Sequence, residues 1–209
     1  MLDRWTTQWV APPLQRAAKR LQRAGVSADS VTVVGFGIGM TAVPALAFQQ
    51  YGYALVAILI SRTLDGLDGT LARLNGPTDR GGFLDITLDF IFYASVVFGF
   101  ALADPAANAL AAACLSTCFM GTGSSFLAFA AVAQKHDLQR IDLPHKSLYY
   151  IGGLAEGTET IGFFVAICLW PQHFAMMAYG FAVICVITTL TRLYGGYRAL
   201  GDTGSASDR

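Results

Sequence analysis

Asp65-Gly66-Leu67-Asp68-Gly69-Thr70-Leu71-Ala72-Arg73, followed seven residues later by Gly81-Gly82-Phe83-Leu84-Asp85-Ile86-Thr87-Leu88-Asp89, decides how this chain is read. The two segments set four aspartates into or beside long apolar stretches. At about 2.5–3.5 kcal/mol for each ionised carboxylate at a bilayer centre, four left uncompensated cost about 10 kcal/mol. A helix turns about 100° per residue, so Asp65 and Asp68 lie within about 60° of each other, and Asp85 and Asp89 within about 40°. Two neighbouring helices then turn two carboxylates each toward one cavity. Four hard oxygen donors suit Mg²⁺ or Mn²⁺, and a pair of such ions cancels most of the charge. Gly69 and Ala72 keep the same face free of bulk, and Arg73 adds a fork of donors that matches phosphate. The set describes a site for a phosphate ester. Reading the acids as caps and solvated charges at helix ends explains neither their spacing nor the glycines.

Outward from this stretch the chain is apolar. Its 209 residues are 54% hydrophobic and 13% charged, with a mean hydropathy of +0.49, which places it among membrane proteins rather than soluble domains. Six apolar spans, at about 31–49, 53–74, 83–103, 106–134, 147–170 and 173–196, are each long enough to cross about 30 Å of hydrocarbon as a helix. The expected fold is an all-α membrane protein with six transmembrane helices after an N-terminal amphipathic interfacial helix. Its expected divisions are 1–24, the interfacial segment, 25–200, the catalytic domain, and 201–209, a disordered Gly-, Ser- and Asp-rich tail.

The net charge is zero, yet the positive charges are one-sided. Lys and Arg fall before the first span, near or between the second and third, between the fourth and fifth, and at or after the end of the sixth. The connections at 50–52, 104–105 and 171–172 have none. The positive-inside rule therefore puts both termini and the acidic site in the cytoplasm, at the inner membrane if the source is bacterial. Residues 1–24 are too polar to span and lack the apolar core of a signal peptide, so they are not read as a cleaved leader. Trp5, Trp9, Val10, Leu14, Ala17 and Leu21 alternate with basic residues as in a helix lying against anionic headgroups, which Pro12-Pro13 is expected to break or start.

Other features read as follows. Ser27, Asp29 or Ser30 caps the first span, and Gly35, Gly37 and Gly39 thin its start for close helix packing. Gly121-Thr122-Gly123-Ser124-Ser125 is read as a packing run ahead of a substrate contact. Cys114, Cys118, Cys168 and Cys185 have neither zinc-type spacing nor a disulfide setting, and read as small core residues. In the polar connection 134–146, Arg140 and Lys146 are candidates for an anionic headgroup. Glu156 and Glu159, two to three turns into the fifth span, are weighed equally as functional acids and as partners of Arg192 or Arg62.

Asp-x-x-Asp-Gly-x-x-Ala-Arg followed by Gly-x-x-x-Asp-x-x-x-Asp resembles the signature of the CDP-alcohol phosphotransferases. Every signature residue is present, as Asp65, Asp68, Gly69, Ala72, Arg73, Gly81, Asp85 and Asp89, with one residue fewer between Arg73 and Gly81 than the usual spacing. The resemblance implies an integral membrane enzyme that moves a substituted phosphoryl group from a CDP-linked donor to an alcohol and releases CMP. It implies that Asp65, Asp68 and Asp85 hold the metal ions, with Asp89 shared between metal and base duty, and that Asp68, Gly69, Ala72 and Arg73 face the CDP. The family's Pro-Asn-containing approach to the first span is replaced here by Ala28 and Asp29, which leaves Thr32 as the candidate nucleotide contact. CDP-diacylglycerol is the expected donor. The acceptor is glycerol 3-phosphate, inositol phosphate, serine or a lipid such as phosphatidylglycerol. Membrane lipids and a second copy of the chain, as a homodimer, are expected partners, and nucleic acid is not. The competing readings are a cation transporter, against which Arg73 beside the acids counts, and a catalytically silent assembly protein. Dependence on a CDP-lipid separates them from an enzyme.

Overall fold

The computed structural model describes residues 3–135 and 153–204. Among them the regular structure is helical throughout: α1 (Asp3–Arg23), α2 (Ala28–Met40), α3 (Ala42–Ala47), α4 (Tyr51–Asn75), α5 (Asp79–Ala103), α6 (Pro105–Lys135), α7 (Gly157–Leu169) and α8 (Phe174–Gly204), with one 3₁₀ turn at Pro171–His173. Four stretches are long and apolar enough to cross a membrane: Ala28–Ala47, Asp79–Ala103, Pro105–Val132 and Pro171–Leu200. Two of the six expected spans do not meet both criteria. The 25-residue α4 has the length but contains Arg62, Asp65, Asp68 and Arg73. The 13-residue α7 is apolar but reaches only about 20 Å at 1.5 Å per residue. The 136–146 part of the polar connection, with Arg140 and Lys146, and the tail from 205 lie outside the described residues.

Local chemistry sets the breaks. α1 closes on Gly25 at φ 73°, where the Val26 amide donates to Leu21 O at 3.1 Å and the Gly25 amide to Gln22 O at 3.0 Å, a glycine-terminated helix end of the Schellman type. Pro12 and Pro13 lie inside α1, so they neither break nor start it. Ser27 caps α2, its side chain accepting from the Ser30 amide. The first span is broken at Thr41 because Pro44 has no N–H to return to the carbonyl four residues back. There the Thr41 amide and hydroxyl both turn to Ile38 O, at 3.1 Å and 2.6 Å. Thr78 starts α5 by accepting from the Gly81 amide at 3.1 Å.

The main core joins α3, α4, α5, α6, α7 and α8 around Phe92, Phe100, Phe164 and Phe174, all fully buried. Phe100 and Phe174 stack with centroids 4.7 Å apart, and Phe163 and Phe181 at 4.5 Å. A smaller cluster of Ala18, Val31, Leu67 and Leu71, flanked by Leu14, Ala17 and Leu21, holds α1 against α2 and α4. The apolar residues of the second half of α1 are thus spent on the protein itself, a difference from the interfacial reading. Burial of one side chain is worth about 1.5–3 kcal/mol, more to a helix than a half-exposed position in headgroups returns.

Small residues set the helix spacing. A Cβ at Gly35 would lie 3.0 Å from Leu64 Cβ, and one at Gly39 2.6 Å from Ser61 Oγ and 2.7 Å from the Phe92 ring, whereas Gly37 faces open space. In α6, Gly121 meets Thr189 of α8 and Gly123 meets the Phe90 ring of α5. The four cysteines are free, Cys168 and Cys185 being buried. Gly39→Ala should lower stability by about 1–3 kcal/mol through overpacking, while Gly37→Ala should not. Thermal unfolding of the two variants in detergent checks this, and equal midpoints would disprove the packing role of Gly39.

Candidate active site

α4 and α5 are joined by Gly76, Pro77 and Thr78, and Arg62 of α4 reaches Asp89 of α5, so the C-terminal half of α4 faces the N-terminal half of α5. Asp65 and Asp68 come from α4 and Asp85 from α5, and a carboxylate oxygen of each lies within 4.8 Å of the others. Asp68 is 3% exposed, and its Oδ2 is buried with no hydrogen-bond partner among the described residues. A buried acceptor left unsatisfied costs about 1–3 kcal/mol and is rare in native interiors. Three hard oxygens around one orphaned acceptor fit a divalent cation of the Mg²⁺ or Mn²⁺ type.

Asp89 sits one turn further along α5 and is engaged differently. Arg62 Nη1 donates to Asp89 Oδ1 at 2.6 Å and lies 3.4 Å from Asp65 Oδ1. The guanidinium is stacked over Phe92, 4.3 Å from its centroid, and near Tyr93 at 5.4 Å. Arg62 is the site residue that the sequence reading assigned elsewhere, as a possible partner of a glutamate. A signal was present: an arginine three residues before Asp65, inside an apolar run, needs a carboxylate on its own face of the helix.

A cleft of about 470 Å³ opens beside the carboxylates, lined by Thr32, Asp68, Gly69, Ala72, Arg73 and Asp85 together with the α2 start and the α4–α5 turn. The five positions expected to face the nucleotide therefore line the same cleft, Thr32 from α2 and the other four from α4. Thr32, Asp65, Asp68 and Asp89 also line a narrow crevice beneath it with Arg62. A Cβ at Gly69 would meet nothing nearer than Arg73 Nη1 at 3.6 Å, so protein packing does not demand a glycine there, and its absent side chain widens the cleft. Arg73 Nη2 donates to Thr70 Oγ1 at 3.1 Å, which holds the guanidinium along the cleft wall. Asp29 pairs with Arg80 Nε at 3.4 Å on the rim.

Glu156 and Glu159 line neither space. Glu156 is not deep in a helix, as expected, but precedes α7, where Oε1 accepts from the Gly153 amide at 2.9 Å. The strip before α7 is non-helical because the Leu154 and Ala155 amides both donate to Thr188 Oγ1 of α8, each at 3.0 Å. Arg192 donates to Thr122 O at 3.0 Å and lies over Phe126. Its charge interacts with Glu156, in line with the partner reading.

Fold and site together define a helical integral membrane protein with a cluster of carboxylates beside an arginine-bearing cleft. The chain belongs to the CDP-alcohol phosphatidyltransferase family, whose pattern it matches over residues 26–191, and it is a phosphotransferase enzyme. It is 54% identical to the inner membrane protein YnjF of Escherichia coli over 96% of this chain and 97% of that one. Shorter matches, at 38% and 37% identity, are to archaetidylinositol phosphate synthase of Pyrococcus horikoshii and phosphatidylinositol phosphate synthase of Streptomyces avermitilis. They cover 44% and 49% of this chain and span 50% and 43% of those proteins. The fold is that of Mycobacterium tuberculosis phosphatidylinositol phosphate synthase, solved with CDP-DAG (TM-score 0.65, 20% identity, 88% of this chain and 93% of that one) and with manganese and citrate (TM-score 0.60, 21% identity, 88% of each).

Asp68 carries a stability prediction. Asp68→Asn should raise the unfolding temperature of metal-stripped protein, since it replaces a desolvated charge, and should abolish the increase that Mn²⁺ produces in the native chain. Differential scanning fluorimetry in chelator and in Mn²⁺ reads both. An undiminished Mn²⁺ response would remove Asp68 from the ligand set.

Proposed function

We propose that this enzyme transfers a phosphatidyl group from CDP-diacylglycerol to an alcohol, releasing CMP. The observation that carries the reading is the convergence of Asp65, Asp68 and Asp85 beside a cleft walled by Thr32, Gly69, Ala72 and Arg73. Asp65, Asp68 and Asp85 would hold a divalent ion, magnesium or manganese. Bound there, it supplies neutralisation of the donor's pyrophosphate and of the departing CMP. The chain's own groups do the rest. Arg73 offers a planar fork to phosphate oxygens, and Gly69 and Ala72 let the nucleotide approach the α4 backbone. Asp89, held by Arg62, takes the proton of the attacking hydroxyl as its oxygen bonds to the lipid-linked phosphorus and the bond to the CMP oxygen breaks.

The acceptor we infer is a phosphorylated polyol of the inositol phosphate kind, a reading supported by the names of the two partial relatives and by the basic Arg140, Lys146 and Arg192. α4 and α7, which complete the bundle, are read as the two remaining spans, giving six. All Lys and Arg then lie on the cytoplasmic side with the cleft and both termini. Assembly as a homodimer belongs to the same reading.

Purified protein should release CMP from CDP-diacylglycerol only with a divalent cation and an alcohol. Full release in excess chelator would contradict the reading. A panel of polyols and polyol phosphates identifies the acceptor. Asp89→Asn should cut turnover by about 10²–10⁴-fold while leaving donor binding largely intact, whereas Asp68→Asn should weaken both. Donor affinity measured beside turnover distinguishes them, and near-normal turnover in Asp89→Asn would transfer the base role to another group.

The orientation has its own check. Cysteine at Gln139, on a background without native cysteines, should react with an impermeant maleimide only from the cytoplasmic face. Labelling from the outer face alone would refute the topology.

A further inference from the structure

Packing consumes one face of α1 and leaves the opposite face charged. Leu14, Ala17, Ala18 and Leu21 join Val31, Leu67 and Leu71 in the smaller core cluster. At about 100° per residue, Arg16, Lys19, Arg20 and Arg23 fall within an arc of about 100° centred opposite those four, and all are exposed. Among the described residues none of them pairs with a carboxylate, and the sequence has no acid from Pro12 to Ser27. Single basic residues on a surface are ordinary, whereas this cluster makes a field of one sign.

α1 also lies where such a field meets a membrane surface. Leu14 Cδ1 comes to 3.2 Å from the position that a Cβ would take on Gly66, and Gln22 Nε2 donates to Leu74 O at 3.2 Å and to Asn75 Oδ1 at 2.9 Å. The advance from Leu14 to Gln22 thus matches the advance from Gly66 to Leu74, so α1 follows the flank of the last turns of α4 rather than crossing their end. Only residues 24–27 separate it from α2, the start of the stretch Ala28–Ala47 that is long and apolar enough to span. The face turned away from α4 therefore looks sideways out of the bundle where that stretch begins, at the depth of the phosphate headgroups.

We propose that the face of α1 carrying Arg16, Lys19, Arg20 and Arg23 is a docking surface for the headgroups of anionic phospholipids. Headgroup contact then falls to the charged face, because protein has taken the apolar face that the sequence offered to the membrane. Arginine and lysine ends reach phosphate oxygens while their stems lie along apolar surface, and a polybasic segment gains attraction with each charge held near an anionic leaflet. Headgroups that bind the docked helix stabilise its docking by linkage. Gln22 carries the effect to the cleft, since its partner Asn75 lines that cleft with Gly76, Pro77 and Thr78. The proposal concerns the membrane around the enzyme and is independent of its acceptor.

Hydrogen–deuterium exchange of the full-length protein in lipid nanodiscs tests this without turnover. Replacing part of the phosphatidylcholine with phosphatidylglycerol should slow exchange of the α1 amides between Leu14 and Arg23 by about threefold or more. Raising NaCl to about 1 M, where the Debye length is about 3 Å, should remove the slowing. Arg16→Gln, Lys19→Gln, Arg20→Gln and Arg23→Gln combined should abolish it, whereas Arg16→Lys, Arg20→Lys and Arg23→Lys combined should keep it. Exchange in the native α1 that ignores phosphatidylglycerol overturns the proposal and leaves the basic face to a soluble acidic partner. A slowing that survives salt, or one undiminished in the folded neutral variant, overturns it as well. If the neutral variant does not fold, the lipid and salt responses of the native chain decide alone.

Discussion

Ionised carboxylates within apolar helices must find compensation, and the geometry around α4 and α5 follows from that constraint. Asp65 and Asp89 meet it through Arg62. Asp68, almost wholly buried, keeps its Oδ2 without a hydrogen-bond partner among the described residues. Under the proposed function, that contrast separates charge the protein balances internally from charge it leaves for a bound cation. It also accounts for the position of Arg62, which a lipid-facing helix would otherwise not tolerate.

The same helices are held by contacts that differ in kind from those of the site. Gly35 and Gly39 disappear into the α2–α4 and α2–α5 contacts, where an added Cβ would collide with Leu64, Ser61 or Phe92. Gly69, one face over, collides with nothing and fronts the cleft. Glycine is thus used on α2 to bring helices together and on α4 to leave a space beside them. α1 buttresses the arrangement from outside: Leu14, Ala17, Ala18 and Leu21 pack toward Leu67 and Leu71, which flank Asp68 along α4. Stability supplied next to the site offsets the cost of an unsatisfied acid within it.

The main features of the site were legible from spacing alone. Asp65, Asp68, Gly69, Ala72 and Arg73 recur at i, i+3, i+4, i+7 and i+8 and so share one face of any helix, and the cleft wall that the last four form needed no tertiary information. A cap among Ser27, Asp29 and Ser30 was likewise a local matter of amide satisfaction, while of the three expected packing glycines Gly35 and Gly39 meet neighbours and Gly37 does not. The spacing of apolar residues at the N-terminus goes with a helix, α1, yet periodicity reports that a face is apolar and not whether lipid or protein covers it. Pro12 and Pro13 failed as break signals for a related reason, since propensity is a prior that packing overrides.

The sequence by itself determined an apolar, helical membrane enzyme with an acidic and arginine-bearing face, because composition, periodicity and motif spacing are properties of single segments. Only the tertiary structure decided which acids converge and which do not. Asp85 and Asp89 share a helix face, but Asp85 joins Asp65 and Asp68 while Asp89 turns to Arg62. Glu156 left its expected helix because Thr188, 33 residues away from Ala155, offers a hydroxyl to amides that would otherwise extend α7. Which donor meets which acceptor across helices depends on distances of a few ångströms between segments far apart in the chain, and no periodicity within one segment encodes them.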